Sequence, residues 1–250
     1  MKNIVFTFLT FTTLVCFGQK KNTPLSPKDT EIWNPIPPKV KPGVLGAAPS
    51  DAIVLFDGSD FDHWTSTSKS SDVKWLLNKD KSMTVMQQKD GHNIITKQNF
   101  GSIQLHLEWK SPNIDLRKKG QQRGNSGVFI QGRYEVQILD NNNNPTYTNG
   151  QVASVYKQSI PLANALAPTG EWNTYDIIYH APQFKNNKEL LKPASITVIH
   201  NGILAIDHFT IKGSTRYIGL PKYEAHGDAP IILQNHGSAV SFRNIWLRKL

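Results

Sequence analysis

Cysteine is all but missing from this chain, because Cys16 is the only one. A disulfide framework and a cysteine-based zinc site are therefore excluded from the folded part, and any metal must be held by oxygen or by histidine nitrogen. Long apolar runs are equally scarce. Residues 4–17 form the one sustained apolar stretch, with no charge in it, and it is shorter than the ~20 residues that cross a bilayer. No GxGxxG, P-loop, GxSxG or HExxH is present, so no nucleotide cofactor is expected and α/β-hydrolase or zincin chemistry loses its simplest support. Acidic residues are outnumbered, 19 against 28 Lys and Arg, giving a formal charge of +9. That balance can mark a nucleic-acid partner. The one dense basic cluster, Arg117-Lys118-Lys119 with Arg123, lies in a Gly/Gln-rich loop without stacking aromatics, and no nucleic acid is expected.

What is present begins with an export signal. Lys2 precedes the apolar run Ile4 to Phe17, and Cys16 and Gly18 put small residues at −3 and −1 of a cut after Gly18. Residues 1–18 read as a signal peptide, which makes the protein periplasmic or secreted and leaves no membrane span after cleavage. The alternative is a lipoprotein anchored through Cys16. Residues 19–50 hold seven prolines without apolar periodicity and read as an extended linker. A single domain is expected over 51–250, long enough for one well-filled core.

From Asp51 onward the pattern is that of strands. Short alternating or apolar runs recur at Ile53 to Phe56, Ser82 to Gln87, Asn93 to Thr96, Ser102 to Trp109, Gly127 to Gln131, Tyr134 to Leu139, Gln151 to Tyr156, Trp172 to His180, Ala194 to His200, Ile203 to Phe209, Ala229 to Gln234 and Phe242 to Leu250. Gly, Pro, Asn and Asp separate them, which predicts an all-β sandwich or jelly roll. Only Ser159 to Ala167 is expected to form a short turn. In "SITVIHNGILAIDHF", Asn201-Gly202 can adopt the two positive-φ conformations of a type I′ turn, so a hairpin is predicted there.

Strand side chains alternate between faces. Tyr134, Val136 and Ile138 can therefore fill a core while Glu135 and Gln137 look the other way, about 7 Å apart. The same spacing opposes Ile231 and Leu233 to Gln234 and His236, and Leu105, Leu107 and Trp109 to His106 and Glu108. Such pairs are either one wet sheet face or a site. Their composition favours a site, since Glu, Gln and His position protons or bind a hard cation, whereas a plain solvent face is rich in Lys, Ser and Thr. Arg243 is expected on a polar face, binding a substrate oxygen, holding Glu135 ionised or ending a strand in an ion pair. Asn125 is either a turn residue or a donor at the rim, and Asp140 a candidate cation ligand. Trp64, Trp75, Trp172, Tyr147 and Tyr156 are candidates for stacking on sugar rings.

Six blocks in order, "IVLFDGSDFDHW", "GSIQLHLEWKSP", "GNSGVFIQGRYEVQILD", "GEWNTYDI", "ITVIHNG" and "PIILQNHGSAVSFRNIWLRKL", run from Ile53 to Leu250 and resemble the 3-keto-disaccharide hydrolase domain family. The resemblance implies a concanavalin A or laminin-G-like jelly roll, bacterial export and action on glycosides oxidised at carbon 3. It carries Asn125, Glu135, Gln137, Asp140, Gln234, His236 and Arg243 over as the site. The basic stretch 115–123 and the Asn-rich loop after Asp140 depart from the family pattern without removing any of these.

A ketone at carbon 3 changes what catalysis requires. The carbon-2 hydrogen becomes acidic and the carbon-1 group lies β to the carbonyl, so one base can form an enolate that expels it. An ordinary glycosidase instead needs two carboxylic acids across the bond. The expectation is that His236 or Glu135 is the base, that Arg243 or a divalent cation such as Ca2+ meets the enolate, and that Gln137, Gln234, Asn125 and Glu108 bind substrate. The alternative is a non-catalytic, lectin-like carbohydrate-binding module.

Overall fold

The computed structural model describes residues 26–69, 72–87, 91–113 and 115–250; the expected signal peptide, 1–18, lies outside them. The chain divides into two units, 1–39 and 40–250. In the first, a 3-10 turn at Pro27–Thr30 starts at Ser26, whose side chain accepts from the Lys28 amide.

The second unit is a β-sandwich, as the alternation predicts. Its strands are β1 (Ile53–Phe56), β2 (Trp64–Ser66), β3 (Leu76–Leu77), β4 (Met83–Thr84), β5 (Ile94–Thr96), β6 (Ile103–Lys110), β7 (Ser126–Ile130), β8 (Tyr134–Ile138), β9 (Asn173–His180), β10 (Gln183–Phe184), β11 (Leu190–Lys192), β12 (Ser195–His200), β13 (Ile203–Thr210), β14 (Ile232–Leu233) and β15 (Ser241–Lys249). An eight-stranded antiparallel sheet runs β13-β12-β9-β6-β15-β4-β3, with β1 also on β15, and faces a five-stranded sheet ordered β2-β5-β14-β7-β8. Strands β10 and β11 form a separate ribbon. The predicted hairpin is β12–β13, with Asn201 at φ 50° and Gly202 at φ 78°.

Alternation in β6, β7 and β8 sends Leu105, Leu107, Trp109, Val128, Ile130, Val136 and Ile138 into one buried core. Each such side chain contributes about 1.5–3 kcal/mol relative to exposure. Tyrosines from β9 cross it: the Tyr175 hydroxyl donates to the Gln137 carbonyl at 2.7 Å, and that of Tyr179 to Gln131 Oε1 at 2.6 Å. The first of these bonds fixes β8 from the opposite sheet, at the strand that carries Glu135 and Gln137.

Three expectations change. Residues 151–156 form no regular strand; after a 3-10 turn at Thr148–Gly150, with Ala153 at φ 66°, they lie along the free edge of β8 and form a single bridge, Val136 to Val155. Alternation alone cannot see that backbone bend. Residues 159–167 are irregular rather than a turn of helix. The linker ends before residue 50, because the Gly46 carbonyl accepts from Trp246 Nε1 and Asn244 Nδ2, both at 2.9 Å, and so joins the sandwich. Proline content hid that contact.

Candidate active site

On the outer face of the five-stranded sheet, neighbouring strands bring polar side chains to one level. Gly127 of β7 pairs with Gln137 of β8, and the Gln234 amide donates to the Gly127 carbonyl from the end of β14. One pleat further along, Glu135 pairs with Phe129. The result is a cavity of about 240 Å³ lined by Asn125, Phe129, Glu135, Gln137, Tyr156, Thr215, Tyr217, Gln234 and His236. Glu135, Gln137, Gln234, His236 and Asn125, expected together from the sequence, do meet around one cavity.

The covering loops bury what a sheet face would expose. The Gln137 amide donates to the Ser154 carbonyl at 3.0 Å, and the Tyr156 amide to the Glu135 carbonyl at 3.0 Å, so residues 153–156 lie along the strand. The Glu135 amide donates to Thr215 Oγ1 at 3.1 Å, which pins the loop carrying Tyr217. Glu135 is thereby 5 % exposed and Gln137 1 %.

Gln121, from a 3-10 turn at Gly120–Gln122, orients the amides. Its side-chain oxygen accepts from Gln137 Nε2 at 2.8 Å, and its backbone carbonyl accepts from Asn125 Nδ2 at 2.7 Å. With these nitrogens engaged, oxygens are what Gln137 and Asn125 have left for a ligand. The Gln137 and Gln234 Oε1 atoms are buried without a hydrogen-bond partner. Orphaned buried acceptors are costly unless something that donates hydrogen bonds completes them.

Glu135 is the most perturbed group in the cavity. Burial pushes its carboxyl up to about 8, because nothing compensates the charged form for lost water. No Lys or Arg lines the cavity to hold it ionised. Tyr156 stands beside it, hydroxyl 2.6 Å from that of Tyr147. Burial first, then the paired hydroxyl and the charge of Glu135, raises the Tyr156 hydroxyl above its ordinary value, so it stays protonated.

Arg243 and Glu108 are not in this cavity. They pair with each other across β15 and β6, Arg243 Nε to Glu108 Oε2 at 2.6 Å, on the outer face of the eight-stranded sheet. Arg243 also stacks on Trp172 at 4.0 Å. His106 shares that face, with Nδ1 2.7 Å from Asp176 Oδ1. Strand alternation identified a polar face correctly in each case but could not assign it to a sheet.

Asp140 is not available to a cation. It is 1 % exposed, and its Oδ2 lies 3.0 Å from Arg123 Nε, too oblique for a hydrogen bond but close enough for an ion pair. It accepts further from Thr169 Oγ1 at 3.0 Å and the Asn142 amide at 3.1 Å. Among the described residues no three His, Cys, Asp or Glu gather as a metal site, and Asp140, committed to Arg123, does not fit the role of cation ligand.

Of the stacking candidates, Trp64 and Trp75 are core residues, Trp172 lies under Arg243, and Tyr156 lines the cavity. Thr215, Tyr217, Phe129 and Gln121 were not anticipated. Phe129 was readable from the alternation of β7; the others come from loops for which no local pattern exists.

The sequence profile of the 3-keto-alpha-glucoside-1,2-lyase-like domain matches residues 51–248. A crystal structure from Parabacteroides distasonis, of a provisionally named glycosyl hydrolase, is 50 % identical, covers 90 % of this chain and 97 % of its own, and superposes with a TM-score of 0.83. A second structure from that organism, with the same provisional name, shares the fold at 20 % identity, covers 80 % of this chain and 94 % of its own, and has a TM-score of 0.56. No curated protein matches the chain.

Proposed function

The chain belongs to the 3-keto-alpha-glucoside-1,2-lyase-like domain family, a carbohydrate-active class, and from that premise we propose that its cavity cleaves 3-keto-glycosides by elimination with net hydrolysis. The observation that carries this reading is a single buried carboxylate, Glu135, standing among unpartnered amide oxygens with no second carboxylate in the lining. A conventional glycosidase needs two carboxylic acids about 5–9.5 Å apart. A substrate oxidised at carbon 3 needs one base.

Glu135 takes the carbon-2 proton. The electron pair of that C–H bond becomes the enolate of the carbon-3 ketone, then closes the carbon-1 to carbon-2 double bond as the carbon-1 oxygen leaves. The departing oxygen takes a proton from the Tyr156 hydroxyl, and Glu135 restores that proton through solvent, so charge and hydrogen balance. Water then adds across the double bond to give the free 3-keto sugar. His236, exposed at the rim, is an N–H donor within the lining that can meet the enolate oxygen. A carboxyl titrating near 8 is a stronger base than an ordinary glutamate, which suits abstraction of a carbon-bound proton. The amide oxygens of Gln137, Gln234 and Asn125 accept from the sugar hydroxyls.

The test is release of the carbon-1 group from a 3-keto-glucoside, run beside the parent glucoside. Release from the keto sugar alone, abolished by Glu135→Gln in a protein that keeps its circular dichroism, is expected. Equal cleavage of the unoxidised glucoside, or full activity of Glu135→Gln, overturns it.

A further inference from the structure

A second cavity, of about 430 Å³, adjoins the first, and Tyr156 and Tyr217 line both. The two differ in kind. The first presents a carboxylate and amide oxygens, whereas the second presents the rings of Tyr147, Tyr156 and Tyr217 with Leu220 and Pro221. Leu220 stands 88 % exposed, an apolar side chain held at a cavity wall rather than packed into the core.

Lys157, Arg216, Gln158 and the hydroxyls of Tyr147 and Tyr156 in the second cavity are engaged with neighbouring groups of the protein. The Lys157 ammonium donates to the Tyr217 carbonyl at 2.6 Å and lies 4.5 Å from the centre of its ring, with the rings of Tyr147 and Tyr156 at 5.6 and 5.7 Å. Arg216 reaches Glu224 at 3.5 Å. The Gln158 side chain bridges the Gly213 carbonyl and the Lys212 amide. A sugar needs many free hydrogen-bonding groups, and a flat apolar ring needs faces to lie against. This cavity supplies the faces.

We propose that the second cavity receives the carbon-1 substituent of the substrate and is built for an aromatic aglycone rather than a second sugar. The inference rests on the reading of the first cavity as the seat of the 3-keto sugar. Tyr156, in the shared wall, then stands where the scissile bond passes from one cavity to the other, with its hydroxyl toward the oxygen that leaves. Tyr217 and Leu220 flank the aromatic ring.

Calorimetry on the full chain carrying Glu135→Gln, which holds substrate without turning it over, tests this with phenyl 3-keto-glucoside, methyl 3-keto-glucoside and a 3-keto-disaccharide. The phenyl compound is expected to bind about tenfold more tightly than the methyl one, the disaccharide to gain nothing over methyl, and Leu220→Asp or Tyr217→Ala to erase the phenyl advantage. Leu220 is exposed, so its substitution spares the core. Equal binding of phenyl and methyl compounds, a preference for the disaccharide, or a phenyl advantage that survives both substitutions overturns the inference. If wild-type protein cleaves methyl 3-keto-glucoside while the phenyl advantage is absent, only the aglycone inference falls; if no 3-keto-glycoside binds or is cleaved, both fall.

Discussion

A side-chain oxygen of Glu135 lies 2.6 Å from the point where a Cβ at position 127 would stand, with the Glu135 Cγ at 3.1 Å. Glycine at 127 is therefore what lets the carboxylate lean across β7 toward Gln234. Gly127→Ala keeps an allowed backbone but forces the carboxylate away, since a Cβ contact under 3 Å cannot stand. Misplacing a catalytic group by about 1 Å can cost about 100-fold, and kcat/KM on a 3-keto-glucoside is expected to fall by at least about that factor. Measured activity within twofold of wild type would show that Glu135 is not the base.

The same carboxylate couples stability to pH. Its value is about 8 in the folded chain against 4.5 unexposed to burial, so the folded state holds a proton through that interval that the unfolded state has released. Its contribution is fully present below about 4.5 and is lost as pH rises through about 8. At about 1.36 kcal/mol per pH unit the loss is several kcal/mol at most. Glu135→Gln removes the titration, so urea denaturation should find the variant more stable than wild type at pH 9 and little different at pH 4.5. kcat/KM of the wild type, by contrast, should rise through pH 8 as the base ionises. Parallel pH profiles of stability for the two proteins would contradict both statements.

Why Glu135 was legible in the sequence and Arg243 was misplaced has one physical answer. A period of two along a strand tells which side chains share a face, so Tyr134 and Val136 against Glu135 and Gln137 could be read directly, as could Ile231 and Leu233 against Gln234. Which strands lie side by side is decided by non-local pairing. Glu108 and Arg243 do face together, as registered partners, but on the other sheet. The Asn201-Gly202 hairpin was legible because its turn is local chemistry. Tyr156, Thr215 and Tyr217 reach the cavity through loops whose course depends on hydrogen bonds to β8, and no short-range pattern encodes those. Trp246 and Gly46, joined across nearly the whole chain, show the same limit at the domain edge.

Moving Arg243 out of the site has a consequence for activity. Its pair with Glu108 is partly solvated, with side-chain exposures of 36 % and 13 %, so it contributes at most about 1 kcal/mol, and its stack on Trp172 about 0.5–1 kcal/mol. Arg243→Ala should lower the Tm by a few degrees and leave kcat/KM within about twofold. A hundredfold loss of activity at unchanged Tm would return Arg243 to the catalytic machinery and place the reaction on the eight-stranded sheet.

Asp140 and Arg123 give the sharpest contrast between a structural and a metal-binding carboxylate. Both are buried, at 1 % and 6 % exposure, and Arg123 also donates to the Asn142 carbonyl, so the pair ties the end of β8 to the Asn-rich loop. Removing one partner strands the other charge in a dry site, which costs about 3–5 kcal/mol. Asp140→Ala should therefore lower stability by that amount in urea denaturation. Were Asp140 a cation ligand, millimolar Ca2+ or Mg2+ would raise the Tm of wild type and not of the variant; with the carboxylate committed to Arg123, the ion should shift both proteins alike. A cation-dependent gain confined to wild type would show that Arg123 yields its place to a metal.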